Sequence, residues 1–135
     1  GMKFEDAQLV DMEGRRVLLS NYVSGNRCVL IDFWASWCRP CIEEMPNLVK
    51  TYNTYKSKGL EIIGISVDED RLAWHDAVKR NKMTWMQLGD DTQMASAMYD
   101  VRSIPHTILL DKDGVIVAKN LRGKELDDKI AEILK

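Results

Sequence analysis

The stretch that decides the fold is Cys28-Val29-Leu30-Ile31-Asp32-Phe33-Trp34-Ala35-Ser36-Trp37-Cys38-Arg39-Pro40-Cys41. Its first eight residues form a nearly continuous apolar run, which is typical of a central strand covered on both faces. The run ends at Ser36, and apolar residues then recur at helical spacing from Cys41 to Lys58. Pro40 suits the first turn of a helix, where its missing N–H is not needed. The stretch therefore predicts a strand that leads directly into a helix.

Strands and helices alternate along the rest of the chain. The patterns predict a hairpin of Gln8–Val10 and Arg15–Leu19, a strand at Leu60–Val67, a helix at Asp68–Asn81, a short strand or loop at 85–88, a helix at Thr92–Tyr99, a strand pair of Thr107–Leu110 and Val115–Ala118, and a helix at 124–134. Leu72, Ala77 and Val78 are among the apolar positions of the 68–81 helix. No repeat or linker interrupts the chain, so we expect a single α/β domain over residues 1–135 with a mixed sheet.

Charge and hydropathy exclude several classes of function. The 19 basic and 21 acidic residues are spread along the chain and give a formal charge of −2. Without a basic run, nucleic acid and anionic membranes are not expected partners. No segment approaches the ~20 apolar residues that span a bilayer, and the polar start of the chain does not resemble a signal peptide. Gly1 before Met2 is typical of a cloning remnant, so the natural chain can begin upstream.

The spacing of Cys38 and Cys41 indicates the type of reaction. Thiol–disulfide exchange needs a thiolate that attacks and a second thiol close enough to resolve the mixed disulfide. At the start of a helix, the free N–H groups and the helix dipole stabilise a Cys38 thiolate. Arg39 adds positive charge beside the attacking sulfur, and Pro40 stiffens the loop. Two cysteines in this context indicate redox chemistry.

The third cysteine, Cys28, is not expected to take part. At ~3.3 Å per strand residue it lies ~20 Å or more from Cys38, far beyond the ~7 Å limit for a disulfide. Zinc would need two more ligands, and only Cys28, His75 and His106 remain outside the acids, with no second paired motif. We therefore expect Cys28 to be a buried small hydrophobe, and the redox-active Cys38–Cys41 disulfide to need no metal or other cofactor.

Two carboxylates are candidates to handle the proton of Cys41. Asp32 lies in an apolar strand, and a buried acid without a cationic partner has a raised pKa, which suits proton exchange with a thiol. Its alternative is an ion pair with a lysine of the 107–119 hairpin. Glu44 lies one helical turn beyond Cys41 on the same face. It either tunes the cysteine pair or is a solvated first-turn glutamate like Glu43, so the proton acceptor stays open between Asp32 and Glu44.

Two segments resemble the thioredoxin family. Residues 32–41 resemble its active-site segment, and Val101-Arg102-Ser103-Ile104-Pro105 resembles the loop that carries its cis-proline. The Trp-Cys-x-Pro-Cys-x-x-Glu pattern, the N-terminal hairpin and the inserted helix are closer to the TlpA/ResA branch, within the AhpC/TSA-related thioredoxin superfamily. The resemblance spans Phe4 to Lys135. It implies a thioredoxin fold: a three-layer sandwich with a mixed central sheet, an N-terminal β-hairpin and an inserted helix.

The resemblance also implies a function, a thiol–disulfide oxidoreductase that reduces disulfides in partner proteins. Cys38 attacks, Cys41 resolves, and a separate thiol electron donor restores the dithiol. Contacts with substrate are expected from Trp37, Arg39, Pro40, Ile104, Pro105 and His106. A cis Pro105 packs against the cysteines and the backbone of Ile104 pairs with the substrate chain. His106 either faces the cysteines or lies on the surface.

The branch further implies a monomer that works outside the cytoplasm, as a domain of a longer protein that can be membrane-anchored through a missing N-terminal segment. Two alternatives stay open. A peroxiredoxin-type peroxidase shares the strand–helix core, although residues 33–38 lack the proline and threonine of its Pro-x-x-x-Thr-x-x-Cys pattern. A binding module without turnover would use only the groove at Ile104 and Pro105.

Overall fold

A seven-stranded sheet forms the centre of the computed structural model, which describes residues 1–135. The strands are β1 (Gln8–Val10), β2 (Arg16–Leu18), β3 (Cys28–Trp34), β4 (Leu60–Ser66), β5 (Met86–Gly89), β6 (His106–Asp111) and β7 (Ile116–Lys119), in the order β2-β1-β5-β4-β3-β6-β7. The helices are α1 (Ser20–Val23), α2 (Arg39–Tyr55), α3 (Arg71–Arg80), α4 (Met94–Met98) and α5 (Gly123–Ile133), with a 3₁₀ turn at Lys56–Lys58. None of these helices has the length and apolar character to cross a membrane.

The central strand β3 pairs in parallel with β4 and antiparallel with β6. All of its residues are buried, as its continuous apolar run predicts. Successive side chains point to opposite faces of a strand: Leu30 and Trp34 pack with both reactive cysteines, whereas Ile31 and Phe33 pack on the other face. Asp32 stands between Leu30 and Trp34 in this alternation, so its carboxyl points to the face on which the cysteines lie.

Helices cover both faces of the sheet. Side chains of α2, α3 and α5 build the core on the cysteine face, and side chains of α1 and α4 build the core on the other face. The resulting three layers with a mixed sheet confirm the predicted α/β thioredoxin-type architecture.

The N-terminal hairpin also forms as predicted. Strands β1 and β2 pair antiparallel, and Gly14 takes a φ of +82° in the connecting turn, where a residue without a Cβ is least strained. Val10 joins the hairpin to the main sheet through Gly89 of β5. The hairpin thus extends the sheet at the edge beyond β5.

One detail of the inserted helix α3 differs from the prediction. Leu72 is 80% exposed, whereas Trp74 is only 3% exposed and packs in the core. The helix begins at Arg71 because the carboxylate of Asp70 caps it, accepting hydrogen bonds from the N–H groups of Leu72 and Ala73. The buried face therefore starts later in the helix than the apolar pattern suggests.

Candidate active site

Helix α2 begins at the reactive cysteines. Cys38 is the N-cap residue, and its Sγ accepts a hydrogen bond from the backbone N–H of Cys41 at 3.3 Å. The N–H of Cys38 itself donates to the carbonyl of Ala35 at 3.1 Å, which closes the turn after β3. Free N–H groups and the helix dipole at such an N-terminus favour a negatively charged sulfur. The local sequence therefore places Cys38 where a thiolate is stabilised.

Cys38 and Cys41 are joined by a disulfide, with their Cα atoms 5.3 Å apart. Cys38 is 5% exposed and Cys41 1%, so an incoming sulfur reaches Cys38 more easily. Cys28 is fully buried and unpaired, and burial raises the pKa of its thiol to about 12. The prediction that Cys28 is a buried hydrophobe is confirmed.

The loop that precedes Cys38 is held by Asp68, a residue that the sequence interpretation missed. Its carboxylate accepts hydrogen bonds from the N–H of Ser36 at 3.0 and 3.2 Å, from the hydroxyl of Ser36 at 2.5 Å, and from the hydroxyl of Ser66 at 2.7 Å. Ser66 ends β4 and Ser36 follows the end of β3. The sequence does contain a signal for this role. Ser36 follows the β3 segment, Ser66 ends the β4 segment, and the acid Asp68 comes two residues later, so neighbouring parallel strands would bring the three together.

A largely enclosed cavity of about 10 Å³, which we call the closed cavity, lies behind Cys41 and is large enough for about one water molecule. Its lining includes Asp32, Cys41, Glu44, Pro105, Thr107 and Arg122. Asp32 is 2% exposed. Burial and the nearby Glu44 raise the pKa of Asp32 to about 8, against the opposing effect of Arg122. The carboxyl of Asp32 is therefore largely protonated at neutral pH while the disulfide is intact.

None of the eight ion pairs of the chain involves Asp32, so the predicted alternative of a lysine partner from the 107–119 hairpin is wrong. The reason is positional: Thr107, the residue paired with Asp32 on β6, is not a lysine, and its hydroxyl donates to the carbonyl of Leu121. Asp32 remains without a cationic partner.

Glu44 is half-buried and ties α2 to the start of α5. Its carboxylate accepts hydrogen bonds from the N–H of Gly123 at 2.8 Å and from the side-chain amide of Asn47 at 3.4 Å. Glu43 is exposed and forms an ion pair with Arg39 at 3.8 Å. The two neighbours therefore differ, and the interpretation of Glu44 as a solvated glutamate is wrong.

A groove of about 1050 Å³ lies next to the reactive centre, since its lining includes Trp37, the residue before Cys38. We call it the docking groove; it is lined by Ser36, Trp37, residues 67–70, Ala73, Gln93, Ser96, Ala97 and residues 101–104. Trp37 is 69% exposed, and Arg39 and Pro40 are exposed on the first turn of α2. These three predicted substrate contacts therefore surround Cys38 and face solvent.

The loop of residues 101–104 brings the second predicted motif to the cysteines. The Ile104–Pro105 peptide bond is cis, and Pro105 lines the closed cavity together with Cys41. The backbone N–H and C=O groups of residues 102–104 form no hydrogen bond with the rest of the backbone. Ile104 lines the docking groove, so this backbone is available to a bound chain.

His106 does not face the cysteines. It pairs across the sheet with Phe33, and residues paired in this way share a face of the sheet. The two rings contact each other edge-on at 6.0 Å, on the face opposite to that of Asp32 and Cys41. Burial and Lys119 lower the pKa of His106. The option that His106 stabilises the Cys38 thiolate directly is therefore wrong.

A pair of cysteines three residues apart at the start of a helix, set beside a cis-proline loop at the end of a central strand, is the arrangement of thioredoxin-like thiol–disulfide oxidoreductases. Comparison with known proteins gives the family. The model of the AhpC/TSA family matches residues 1–119, and the chain belongs to this family. Its activity is that of a thiol–disulfide oxidoreductase of the TlpA/ResA type, as the sequence predicted, and such enzymes act on disulfide-containing substrates.

Named relatives and solved structures agree with this assignment. The thiol–disulfide oxidoreductase ResA of Bacillus thuringiensis subsp. konkukian is 32% identical over 127 residues, covering 94% of this chain and 72% of the relative. The thioredoxin domain of a thiol–disulfide oxidoreductase from Bacteroides vulgatus superposes with a TM-score of 0.90 at 35% identity, covering 100% of this chain and 97% of that one. A thiol–disulfide oxidoreductase from Bacteroides fragilis superposes with a TM-score of 0.88 at 32% sequence identity, covering 98% of this chain and 99% of that one.

Proposed function

We propose that the protein reduces disulfides in partner proteins through its Cys38/Cys41 dithiol. The Cys38 thiolate attacks one sulfur of the substrate disulfide, and the other substrate sulfur leaves and takes up a proton. Cys41 then loses its proton and attacks the Sγ of Cys38, which releases the second substrate thiol and leaves the Cys38–Cys41 disulfide. Two electrons pass from the dithiol to the substrate. The observation that carries the proposal is the disulfide at the N-terminus of α2, with Cys38 the more exposed sulfur.

Asp32 is the group that we assign to the proton of Cys41. Both residues line the closed cavity. A carboxyl with a pKa of about 8 is close to the ordinary thiol pKa of about 8.5, and proton transfer is most efficient between groups of similar pKa. Glu44 acts through Asp32, because its charge raises the pKa of Asp32 and its hydrogen bond to Gly123 fixes its position.

The substrate chain lies along residues 102–104 as a short added strand, with its attacked disulfide at Cys38. The unpaired backbone of this loop supports that placement. Trp37 supplies an exposed apolar contact, while Arg39 and Pro40 contact the substrate from the other side of Cys38. Pro105 packs behind the pair, and no substrate contact is assigned to His106.

The wider setting of the reaction follows from the resemblance to the TlpA/ResA branch. On that ground the proposal is that residues 1–135 act as one domain and as a monomer outside the cytoplasm. A separate thiol donor attacks the Cys38–Cys41 disulfide and restores the dithiol. The reaction needs no bound cofactor, because the cysteines themselves carry the electrons.

Trapping of the mixed disulfide tests the proposal. Reduced Cys41→Ser protein is mixed with insulin, and the expected product is a disulfide-linked adduct through Cys38, identified by peptide mass. Cys28→Ala is the matched control, because it removes the third thiol and leaves the reactive pair. Turnover of insulin by the wild type without an adduct in Cys41→Ser would contradict the assigned order of attack.

The reduction potential of the pair decides the direction. Equilibration with glutathione buffers is expected to give a potential near or below that of thioredoxin, about −270 mV. A value near that of a strong oxidant, about −120 mV, would overturn the reductase assignment while leaving the exchange chemistry intact.

A further inference from the structure

The docking groove has one strongly acidic wall. Asp68, Glu69 and Asp70 follow one another between β4 and α3, and all three line the groove. None of them takes part in any ion pair of the chain. Asp68 and Asp70 are met only by N–H and O–H donors. The wall therefore presents negative charge that no ion pair of the chain offsets.

The opposite wall does not balance this charge. Its one cationic side chain, Arg102, is paired with Asp100 at 3.1 Å, and the polar residues contributed around α4 are the uncharged Gln93 and Ser96. The other lining residues are mostly apolar and include Val67, Ala73, Ala97 and Val101, while Ser36 and Ser103 add two hydroxyl groups. An occupant that suits the groove is therefore an extended chain that is apolar in part and carries a positive charge toward residues 68–70.

The groove borders the reactive centre. Trp37, which precedes Cys38, and Ile104, which precedes the cis-proline, both line it. A substrate chain that pairs with residues 102–104 and presents its disulfide to Cys38 must therefore run along the groove on one side of the attacked sulfur. Its residues next to the cysteine then face the acidic wall.

We propose that the docking groove selects partner proteins in which a lysine or arginine lies within a few residues of the attacked cysteine, in an extended segment. This inference rests on the proposed function, because it names the substrate class of the same site. Complementary charge at an exposed surface acts mainly on the encounter rate and is weakened by salt. The expected preference is about 10-fold in kcat/KM between a basic and an acidic segment at low ionic strength.

Peptide substrates test the selection. Three disulfide-linked peptides differ only at the second residue after the cysteine, which is Lys, Gln or Glu. The reduced protein is expected to have the highest kcat/KM for the Lys peptide, a lower one for the Gln peptide and the lowest for the Glu peptide. The spread of kcat/KM should narrow when salt is raised to about 0.5 M, because ions screen exposed charges. Equal rates for all three peptides at low salt overturn the inference and leave the proposed function standing.

Two matched variants locate the effect. Glu69→Gln removes one charge from the acidic wall, and Asp76→Asn removes one charge from the exposed face of α3, outside the groove, where Asp76 pairs with Arg80. Glu69→Gln is expected to reduce the Lys-to-Glu ratio of kcat/KM about threefold, and Glu69→Lys to reverse the preference. Asp76→Asn should retain the wild-type ratio. An equal loss of preference in Glu69→Gln and Asp76→Asn overturns the role of the groove.

Binding separates this inference from the proposed function. The same peptides with an S-methylated cysteine cannot exchange, so their affinity, measured by calorimetry, reports the groove alone. Tighter binding of the Lys peptide without reduction of any peptide contradicts the function and upholds the groove. If no peptide is reduced and none binds selectively, both the proposed function and this inference are overturned.

Discussion

Two aspartates near the ends of neighbouring parallel strands have opposite surroundings. Asp32 belongs to β3 and lines the closed cavity behind Cys41, where burial and Glu44 raise its pKa to about 8. Asp68 follows β4, lines the open docking groove, and accepts hydrogen bonds from Ser36 and Ser66. The same side chain is thus suited to carry a proton in one place and to hold a loop in the other. The neighbours of each carboxylate, rather than its residue type, make the difference.

The largest effect is expected at Cys38, which follows Trp37 of the docking groove and is disulfide-bonded to Cys41 of the closed cavity. Cys38→Ser replaces the nucleophilic sulfur and should lower the rate of insulin reduction at least about 10³-fold. Cys28→Ala, which removes a thiol far from both regions, should keep the wild-type rate. A substantial residual rate in Cys38→Ser would show that another group starts the reaction. The two regions could then not be compared as the surroundings of one nucleophile.

The next largest effect is on the rate at which Cys41 resolves the mixed disulfide, and it should differ between variants of the two aspartates. Asp32→Asn removes the proposed proton acceptor, and the resolution step should slow about 100-fold near pH 7, within the usual range for general bases. Asp68→Asn should leave the pH profile of that step unchanged, because Asp68 does not line the closed cavity. Stopped-flow fluorescence of mixed-disulfide resolution measures both. Equal slowing in the two variants would contradict the proton role of Asp32.

The buried carboxyl of Asp32 in the closed cavity should make the stability of the protein depend on pH. Asp32 has a pKa of about 8 when folded and about 3.9 when unfolded, so the folded state binds more protons between these values. The free energy of unfolding of the oxidised protein therefore falls as pH rises from about 4 to about 8. Asp32→Asn should remove this fall and raise the free energy of unfolding at pH 8 by about 5 kcal/mol.

Urea unfolding of the oxidised protein at about pH 5 and pH 8 checks this expectation, because stability falls linearly with denaturant. Wild type and Asp32→Asn that respond identically to pH would show that Asp32 ionises normally in the fold.

A smaller loss of stability is expected on the groove side. Asp68→Ala leaves the N–H and hydroxyl of Ser36 and the hydroxyl of Ser66 without their acceptor, which should cost about 2 kcal/mol of unfolding free energy. Ser36→Ala removes only one of these donors and should cost about 1 kcal/mol. Thermal unfolding of the two variants gives the comparison. If both changes are neutral, Asp68 does not hold the loop before Cys38.

The smallest effect is expected from Glu44→Gln. The amide oxygen can still accept the hydrogen bond from Gly123, but the charge that raises the pKa of Asp32 is gone. The pKa of Asp32 should therefore fall, and carboxyl NMR titration of the oxidised protein follows it directly. Glu43→Gln, at an exposed position on the same helix, is the control. An unchanged pKa of Asp32 in Glu44→Gln would show that burial alone sets its value.

Sequence patterns predicted the reactive centre because its causes are local. The apolar run of residues 28–35 indicated a doubly covered strand, and the cysteines three residues apart indicated a pair at a helix start. The same apolar run also placed Asp32 correctly among buried residues. These features depend on a few consecutive residues, and the structure contains all of them.

Other features required contacts between distant segments. The register of β3 with β6 turns His106 to the face of Phe33, and a shift of one residue would have reversed it. Asp68 became visible only when the ends of β3 and β4 lay side by side, and Leu72 was exposed because capping by Asp70 set where α3 begins. The sequence thus determined the disulfide chemistry, which spacing and helix position dictate. Only the tertiary structure decided which acids and which groove surround it, because register and packing bring those residues together.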